Sequence, residues 1–378
     1  MVDTATPGQA DLPTTSPVGR RHLTFHTLRV AAVDRLTEDA VAVTFDVPAE
    51  LREQFQFKPG QHVSVRSKVL GDRVRRNYSI CAPAGSGRLR IGVKRIPNGV
   101  FSGFATEKLL AGDVLDVLTP SGSFTIDPDA TRAHHYGAIA AGSGITPVLS
   151  ILSTALEQEP HSRATLIYVN RTTSNIMFLE ELEDLKNAYP SRFQLIHVLD
   201  YETVDVDILS GRLDADRLNR ILHHLIQADE IDDWFLCGPL PMTDAARQVL
   251  MDAGADPEHI HRELFHVGGP AVASAAPPPD EAATKIGSSV TVMLDGRSQS
   301  FILAPNGPAI LDALIEFRPD APYACKNGVC GTCRAKVMSG DVSMDSNFAL
   351  EPYEMAAGFV LTCQAHPVSD HVTVDFDQ

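Results

Sequence analysis

Four of the six cysteines crowd the C-terminal end of the chain: Cys325, Cys330, Cys333 and Cys363, separated by four, two and 29 residues. Two iron atoms bridged by sulfide need four thiolates, and this spacing is the one that holds a single [2Fe–2S] cluster. The loop Ala324-Cys325-Lys326-Asn327-Gly328-Val329-Cys330-Gly331-Thr332-Cys333 supplies Gly328 and Gly331, small enough for the backbone to wrap closely around sulfur. A structural zinc site also uses four thiolates, but zinc ribbons pair two C-x2-C knuckles and only one such pair occurs here. A disulfide framework would be distributed along the chain; Cys81 and Cys237 stand alone.

A second chemical signal is Gly142-Ser143-Gly144-Ile145-Thr146-Pro147. It follows the apolar run Tyr136–Ala140 and opens a stretch with Val148, Leu149, Leu152, Ala155 and Leu156 on one helical face. A strand, a glycine turn and a helix N-terminus together receive a pyrophosphate on backbone N–H groups. Thr146 is expected at the helix N-cap and Pro147 at the first helical position. The next strand, Thr165–Val169, runs into Asn170-Arg171-Thr172-Thr173-Ser174 and lacks the usual acidic reader of a ribose 2′-hydroxyl. Arginine with hydroxyls at this place suits a 2′-phosphate, so NADPH is expected over NADH; the alternative is a surface arginine in a loop.

A nicotinamide gives two electrons as hydride, whereas a [2Fe–2S] cluster takes one at a time. A chain holding both needs a converter between them, and flavin is the usual one. Arg73, Arg75 and Arg76 cluster beside Tyr78-Ser79, and Gly99-Val100-Phe101-Ser102 leads toward an expected helix at Thr106–Leu110. Taken alone, such an arginine-rich stretch reads equally as a solvated turn.

The elements that must position these groups fall into three parts. From Phe25, short β-type runs (Val41–Phe45, His62–Val65, Leu89–Val93, Val114–Leu118) alternate with Gly/Pro turns, the pattern of a barrel or sandwich. After residue 131 strands alternate with helices: strands at Thr165–Val169, Phe193–Leu199 and Trp234–Leu236, and helices at Met177–Ala188, Asp214–Ile226 and Thr243–Ala253. That series predicts a parallel sheet. Residues 270–284 are mostly proline and alanine and read as a linker. Beyond it come a hairpin, Val290–Leu294 and Ser300–Leu303 around Asp295-Gly296, a helix Ile310–Glu316 and the cysteine loop. The expected divisions are a disordered tail at 1–23, a flavin barrel at 24–131, a nicotinamide domain at 132–268, a linker at 269–284 and an iron–sulfur domain at 285–378.

Charge narrows the partners. The net charge is −16, against a nucleic-acid or anionic-membrane partner, both of which demand a basic face. Residues 1–130 carry a net +2, residues 131–284 a net −13 and residues 285–378 a net −5, so anionic ligands fit best in the front third. No run approaches the ~18 apolar residues of a membrane helix. Met1–Arg21 has no apolar h-region, and the expected compartment is the cytoplasm. The pairs His134-His135 and His223-His224 diverge, and His259 and His261 share a strand face with no third ligand, so all read as surface or packed residues.

Arg76-x-Tyr78-Ser79, Gly99-x-x-Ser102, Gly142-x-Gly144-x-x-Pro147 and Cys237-Gly238-Pro239 together resemble the ordered motifs of the ferredoxin–NADP reductase superfamily. The order of flavin barrel, nicotinamide domain and C-terminal plant-type ferredoxin resembles the reductase components of multicomponent oxygenases. Thr24-Phe25-His26-Thr27-Leu28, Tyr323-Ala324-Cys325-Lys326 and the run from Leu350-Glu351-Pro352 to Val374-Asp375-Phe376 resemble the phenylacetyl-CoA epoxidase reductases in particular.

The resemblance implies an antiparallel β-barrel for FAD, an α/β parallel-sheet domain for the nicotinamide nucleotide and an α+β β-grasp ferredoxin. It implies that Arg76 pairs with the flavin phosphates, Tyr78 lies against the ring system and Ser79 reaches flavin N5, with Asn77, Val93 and Lys94 also lining the flavin site. Gly99, Val100, Phe101 and Ser102 would hold the pyrophosphate. Gly142, Gly144, Thr146, Arg171, Cys237, Gly238 and Pro239 would bind the nicotinamide nucleotide. Cys237, read from residues alone as a buried hydrophobe, would align hydride transfer with Ser79 and Glu263, and Phe265 would close over the flavin. The implied partner is an oxygenase, by likeness a di-iron epoxidase. Two alternatives remain: an NADH-dependent reductase of a Rieske-type oxygenase such as 3-ketosteroid 9α-hydroxylase, and a zinc- and nucleotide-binding sensor without turnover.

Overall fold

The structure is a computed structural model that describes residues 24–71, 74–226, 228–265, 287–304, 306–318, 321–350 and 352–378. The expected tail at 1–23, the linker at 269–284, Arg73 and Glu351 lie outside the described residues.

β1 (Phe25–Thr37), β2 (Ala40–Asp46), β3 (His62–Arg66), β4 (Arg75–Ser79), β5 (Leu89–Lys94) and, after helix α1 (Val100–Glu107), β6 (Val114–Leu118) form one antiparallel sheet in the order β4-β3-β6-β1-β2-β5. The bridge between Ile80 and Ile91 joins the two outer strands and closes the sheet into a barrel. Register shifts in β1 at Val30/Ala32 and Arg35/Thr37 bend the strand, as closure requires. Leu28, Val41, Val43, Val63, Val65, Ile91 and Val93 fill the interior.

The expected helix at Thr106–Leu110 is corrected: α1 starts at Val100, with Gly99 at its N-cap, so Gly99 to Ser102 forms its first turn rather than a lead-in. Asn98, at φ +60°, reverses the chain one residue earlier than the Gly99 signal suggests.

β7 (His135–Ala141), α2 (Ile145–Gln158), β8 (Arg163–Asn170), α3 (Leu179–Ala188), β9 (Phe193–Leu199), α4 (Ala215–Leu225), β10 (Asp233–Cys237), α5 (Leu240–Asp252) and β11 (Ile260–Glu263) build a second unit. Its five strands are all parallel, in the order β11-β10-β7-β8-β9. Alternate residues of β7 feed opposite faces: Ala138 and Ala140 pack on one side and Ile139 on the other. Strand order reverses between β7 and β10, so the turns after these strands open on one crevice, the place where such sheets bind ligands.

Thr146 is not the N-cap. A 3-10 turn over Gly142–Gly144 starts the helix earlier, and the Thr146 hydroxyl donates back to the Ser143 carbonyl (3.0 Å).

The barrel and the parallel-sheet unit share one core. Ala40, Ala42, Cys81, Phe124 and Ile126 pack with Ile145, Val148, Ile151 and Phe178. Hydrogen bonds run across: buried ones from Ser150 Oγ to the Ala82 carbonyl (2.7 Å) and from the Ala84 N–H to Thr154 Oγ1 (2.8 Å), and a partly buried one from Gln158 Nε2 to the Ala84 carbonyl (2.7 Å). A Cβ on Gly60 would strike the Phe124 carbonyl, and one on Gly92 would sit 2.6 Å from Thr146 Cγ2.

The third unit is the β-grasp. β12 (Ser288–Leu294) and β13 (Arg297–Leu303) pair around Asp295-Gly296, both at positive φ as a two-residue hairpin turn demands. α6 (Ile310–Phe317), β14 (Arg334–Ser339), β15 (Val342–Met344), α7 (Pro352–Ala356), β16 (Phe359–Leu361), β17 (Ala365–Pro367) and β18 (His371–Asp375) follow. The main sheet runs β13-β12-β18-β14-β16, with β15 and β17 paired apart. Its core is its own, from Val290 to Phe376.

Candidate functional site

The cysteine loop leaves α6 and returns at β14. Lys326 (φ +55°), Gly328 (+72°) and Gly331 (+64°) take the left-handed turns that fold it back on itself. The Thr362 N–H and hydroxyl both reach the Cys333 carbonyl (3.1 and 2.9 Å), which brings Cys363 beside the loop. Cys333 and Cys363 are buried, Cys325 and Cys330 half-buried.

The four sulfur atoms interact with one another. Hydrogen bonds from Cys330 and Cys363, then the Asn327 and Val329 amides, hold the Cys325 thiol far below its ordinary range. The same sharing, with burial, pushes Cys330 and Cys363 up. Four converging thiols ringed by N–H donors, with glycine where the backbone must turn, fit a [2Fe–2S] cluster.

A second cluster lies in the crevice between β7 and β10. Cys237 ends β10 and pairs with Glu263 in β11. Glu263 Oε2 accepts from Ser79 Oγ of β4 at 3.3 Å. Burial pushes the Glu263 carboxyl up to about 8, the Ser79 hydroxyl opposing, so the group is protonated at neutral pH. Burial, then the Glu263 carboxyl, holds the Cys237 thiol well above its usual range. Ser79, Cys237 and Glu263 thus come together from two units, while Phe265, two residues on, is 41% exposed.

Gly142 needs its left-handed φ (+53°), and Tyr168 Oη donates to its carbonyl (2.9 Å). Gly144 needs space: a Cβ there would land on the Cys237 carbonyl. The Gly142–Gly144 turn is therefore pressed against Cys237-Gly238-Pro239, with Pro239 capping α5. Gly144→Val should raise the KM for the nicotinamide nucleotide by roughly tenfold or more, since sub-ångström misplacement of a binding turn is costly, while flavin content stays unchanged. Nucleotide titration of the purified variant checks this.

On the barrel, Arg76 is exposed, with Nη1 donating to the Arg75 carbonyl (2.6 Å), and Tyr78 packs on Phe101 at 5.5 Å between ring centroids. The first amides of α1 have no side-chain cap, and a Cβ on Gly99 would lie against Ser102 Oγ, leaving a close cradle for a phosphate at the helix start. These residues fit a flavin dinucleotide. Two of the expected lining residues offer it little side chain: Val93 is fully buried in the barrel core and Lys94 pairs with Asp39 at 3.4 Å. Asn77 faces elsewhere. Its Oδ1 accepts from Ser64 Oγ (2.5 Å), and its Nδ2 reaches Thr332 Oγ1, between two cluster cysteines, at 3.4 Å.

Arg171 is exposed at the end of β8. The neighbouring Thr173 N–H and hydroxyl are engaged by Glu202 (2.7 and 2.9 Å), an acidic residue that the reading of β8 alone did not include.

Sequence reasoning also missed two clusters assembled from distant segments. Arg75 is buried between the barrel and the β-grasp unit, its guanidinium 4.2 Å from the Tyr323 ring centroid. Asp233 accepts from His134 (2.6 Å), His259 (2.9 Å) and His261 (2.9 Å), so three histidines read as surface or packed residues share one carboxylate. Among the described residues, no helix is long and apolar enough to cross a membrane.

Comparison with known proteins agrees with this arrangement. Residues 27–126 match the family "Oxidoreductase FAD-binding domain", 138–248 the "Oxidoreductase NAD-binding domain" and 292–368 the "2Fe-2S iron-sulfur cluster binding domain". The chain is 44% identical over 354 residues to a subunit of the 1,2-phenylacetyl-CoA epoxidase of Escherichia coli, covering 94% of this chain and 98% of that protein. It is 35% identical over 356 residues to the ferredoxin reductase component of 3-ketosteroid-9-alpha-monooxygenase of Rhodococcus rhodochrous, covering 92% and 96%. The fold is similar to that of phthalate dioxygenase reductase, with a TM-score of 0.56 at 22% identity, over 93% of this chain and 98% of that one. It is also similar to part of an intact type IV self-sufficient cytochrome P450 monooxygenase, with a TM-score of 0.64 at 23% identity, over 93% of this chain and 41% of that one.

Proposed function

Because the chain belongs to the family of oxygenase reductases that join FAD-binding, NAD-binding and 2Fe-2S domains, we propose that it draws electrons from NADPH and delivers them, in the cytoplasm, to a di-iron oxygenase, the phenylacetyl-CoA 1,2-epoxidase. It is an NAD(P)H-dependent flavin and iron–sulfur oxidoreductase. The observation that carries the finer reading is the end-to-end identity of 44% with a component of that epoxidase, which extends over all three units.

When bound, FAD supplies the conversion from two-electron to one-electron chemistry and the cluster the one-electron relay. The chain's own residues do the positioning. Arg76 and the first amides of α1 neutralise and orient phosphates, and Tyr78 offers an aromatic face. The turn at Gly142–Gly144 holds the second pyrophosphate. Ser79 and a neutral Glu263 fix the hydride end, and Cys237 fills the space beside it without bringing charge. The shared core seals this crevice from below.

Two observations favour a second reading, an NADH-dependent reductase of a Rieske-type oxygenase: the 35% identity to a ketosteroid monooxygenase component and the Glu202 carboxylate on Thr173. Anaerobic titration with NADPH and NADH separates the two. Visible absorbance should bleach at far lower NADPH than NADH. Arg171→Ala should raise the KM for NADPH roughly tenfold, the worth of one charge-assisted hydrogen bond, with little change for NADH. The protein should then support turnover of a purified di-iron epoxidase and not of a Rieske-type oxygenase. Bleaching by NADH at the lower concentration, with turnover of the Rieske enzyme, overturns the proposal.

A further inference from the structure

The outer face of β3 and β4 carries His62, Ser64 and Arg66 opposite Ser79, Asn77 and Arg75. Each residue of this β4 face has its own target. Ser79 reaches Glu263 at the hydride end, Asn77 reaches Thr332 in the cluster loop, and Arg75 reaches the segment that leads into that loop. One short strand therefore touches both ends of the electron path.

Arg75 makes the most specific of these contacts. It is 3% exposed, with Nη1 donating to the Ala321 carbonyl at 3.1 Å. Its guanidinium lies 5.0 Å from the ring centroid of Phe25 in β1 and 4.2 Å from that of Tyr323. A planar cation between two aromatic rings, one on each unit, is held by their quadrupoles and by the apolar area it covers. Lys326, next to the first cluster cysteine, places its ammonium 5.0 Å from the same tyrosine ring. Tyr323 lies two residues before Cys325, so whatever holds Tyr323 holds the cluster loop.

We propose that Arg75 is a positioning residue that docks the iron–sulfur unit on the flavin barrel through Tyr323 and Ala321, and so sets the rate at which electrons cross from flavin to cluster. The inference rests on the electron path proposed above and concerns its geometry. Each hydride brings two electrons and the cluster accepts one at a time, so the docked contact must persist or re-form for both transfers. Lysine, a point charge without the planar fork, would keep the charge but lose part of the stacking.

The test uses the full-length holoenzyme carrying Arg75→Ala, Arg75→Lys, Tyr323→Leu, or Arg75→Ala with Tyr323→Leu. Hydrogen–deuterium exchange of oxidised protein, without nucleotide, should show faster exchange over residues 321–334 in Arg75→Ala and in Tyr323→Leu, with the double variant no faster than the faster single one. In single-turnover mixing with NADPH, the flavin should be reduced at the wild-type rate. Cluster bleaching should slow by the order of tenfold in Arg75→Ala, as loss of a desolvated cation–π contact implies, and by less in Arg75→Lys.

Unchanged exchange together with unchanged cluster bleaching in Arg75→Ala overturns the dock. So do fully additive effects in the double variant, which would mean that the two residues act separately. A wild-type protein whose flavin is reduced but whose cluster never bleaches would instead overturn the electron path, with the exchange data still reporting on the dock.

Discussion

Replacing Cys330 by serine is expected to abolish electron delivery to an oxygenase while leaving a yellow protein that still reduces ferricyanide with NADPH to within about twofold of the wild-type rate, as separate sites allow. The thiol shares a hydrogen bond with Cys325 in the cysteine loop, and its loss leaves an iron pair one ligand short. The damage should extend beyond chemistry. Cys333 and Cys363 belong to the buried core of the β-grasp unit, so ligand binding and local folding are coupled there. It should also stop at that unit, because its core contains no residue of the other two. The check is a visible spectrum that retains flavin bands and loses cluster absorbance, with paired assays using ferricyanide and the oxygenase. Loss of both activities would show that the units fail together and would contradict the separate cores.

The second large effect concerns Glu263. Burial pushes its carboxyl up to about 8, so the group proposed to flank the hydride acceptor is neutral at pH 7. Above pH 8 it becomes an anion next to the place where hydride brings negative charge, and the rate of flavin reduction should fall. Glu263→Gln keeps a neutral partner for Ser79 and should reduce flavin at pH 7 almost as fast as wild type, with the alkaline decline gone. Glu263→Ala removes the partner, and the resulting loss of alignment should slow hydride transfer by roughly 10–100-fold. Stopped-flow flavin reduction from pH 6 to 9.5 reads all three.

Stability should show the same titration with a definite sign. The folded protein keeps a proton that the unfolded chain releases above about 4.5, so between that value and about 8 a rise in pH favours unfolding. Wild type should therefore lose melting temperature across this window relative to Glu263→Gln. A pH–rate profile that Glu263→Gln leaves intact would assign the alkaline limb to another group.

Much of this was legible in the chain because the chemistry is local. Cys325, Cys330 and Cys333 lie in one loop, and Gly142 and Gly144 in one turn, so spacing alone carries the geometry. Local reading failed where a backbone detail left no side-chain sign. Gly99 caps α1 without a side-chain bond, and nothing in Pro97-Asn98-Gly99 distinguishes a helix start from a hairpin turn. Thr146-Pro147 has the residues of a helix start, but the 3-10 turn before it had already begun the helix.

Contacts between distant segments were beyond reach. Arg75 and Tyr323 are far apart in sequence, and Asp233 and its three histidines come from three stretches, His134 before β7, Asp233 in β10 and His259 with His261 at β11. Glu202 lies a full βα unit beyond Thr173, so a reading of one strand end could not include the acid that answers it.

The unequal seams between the units have a consequence for how such chains can be cut and rejoined. Between barrel and parallel sheet, a common core, three hydrogen bonds (two of them buried) and two glycines with no room for a methyl group make the first two units a single heritable block. A crossover between Ile126 and His135 would join two halves of a core that were never fitted to each other. The β-grasp unit carries a complete core and meets the barrel through a few polar and aromatic contacts on one strand. A gene split or fused between residues 265 and 287 would leave each product with its own core, so both are expected to fold, and descendants would exchange the electron outlet, and with it the customer, while inheriting the first two units intact.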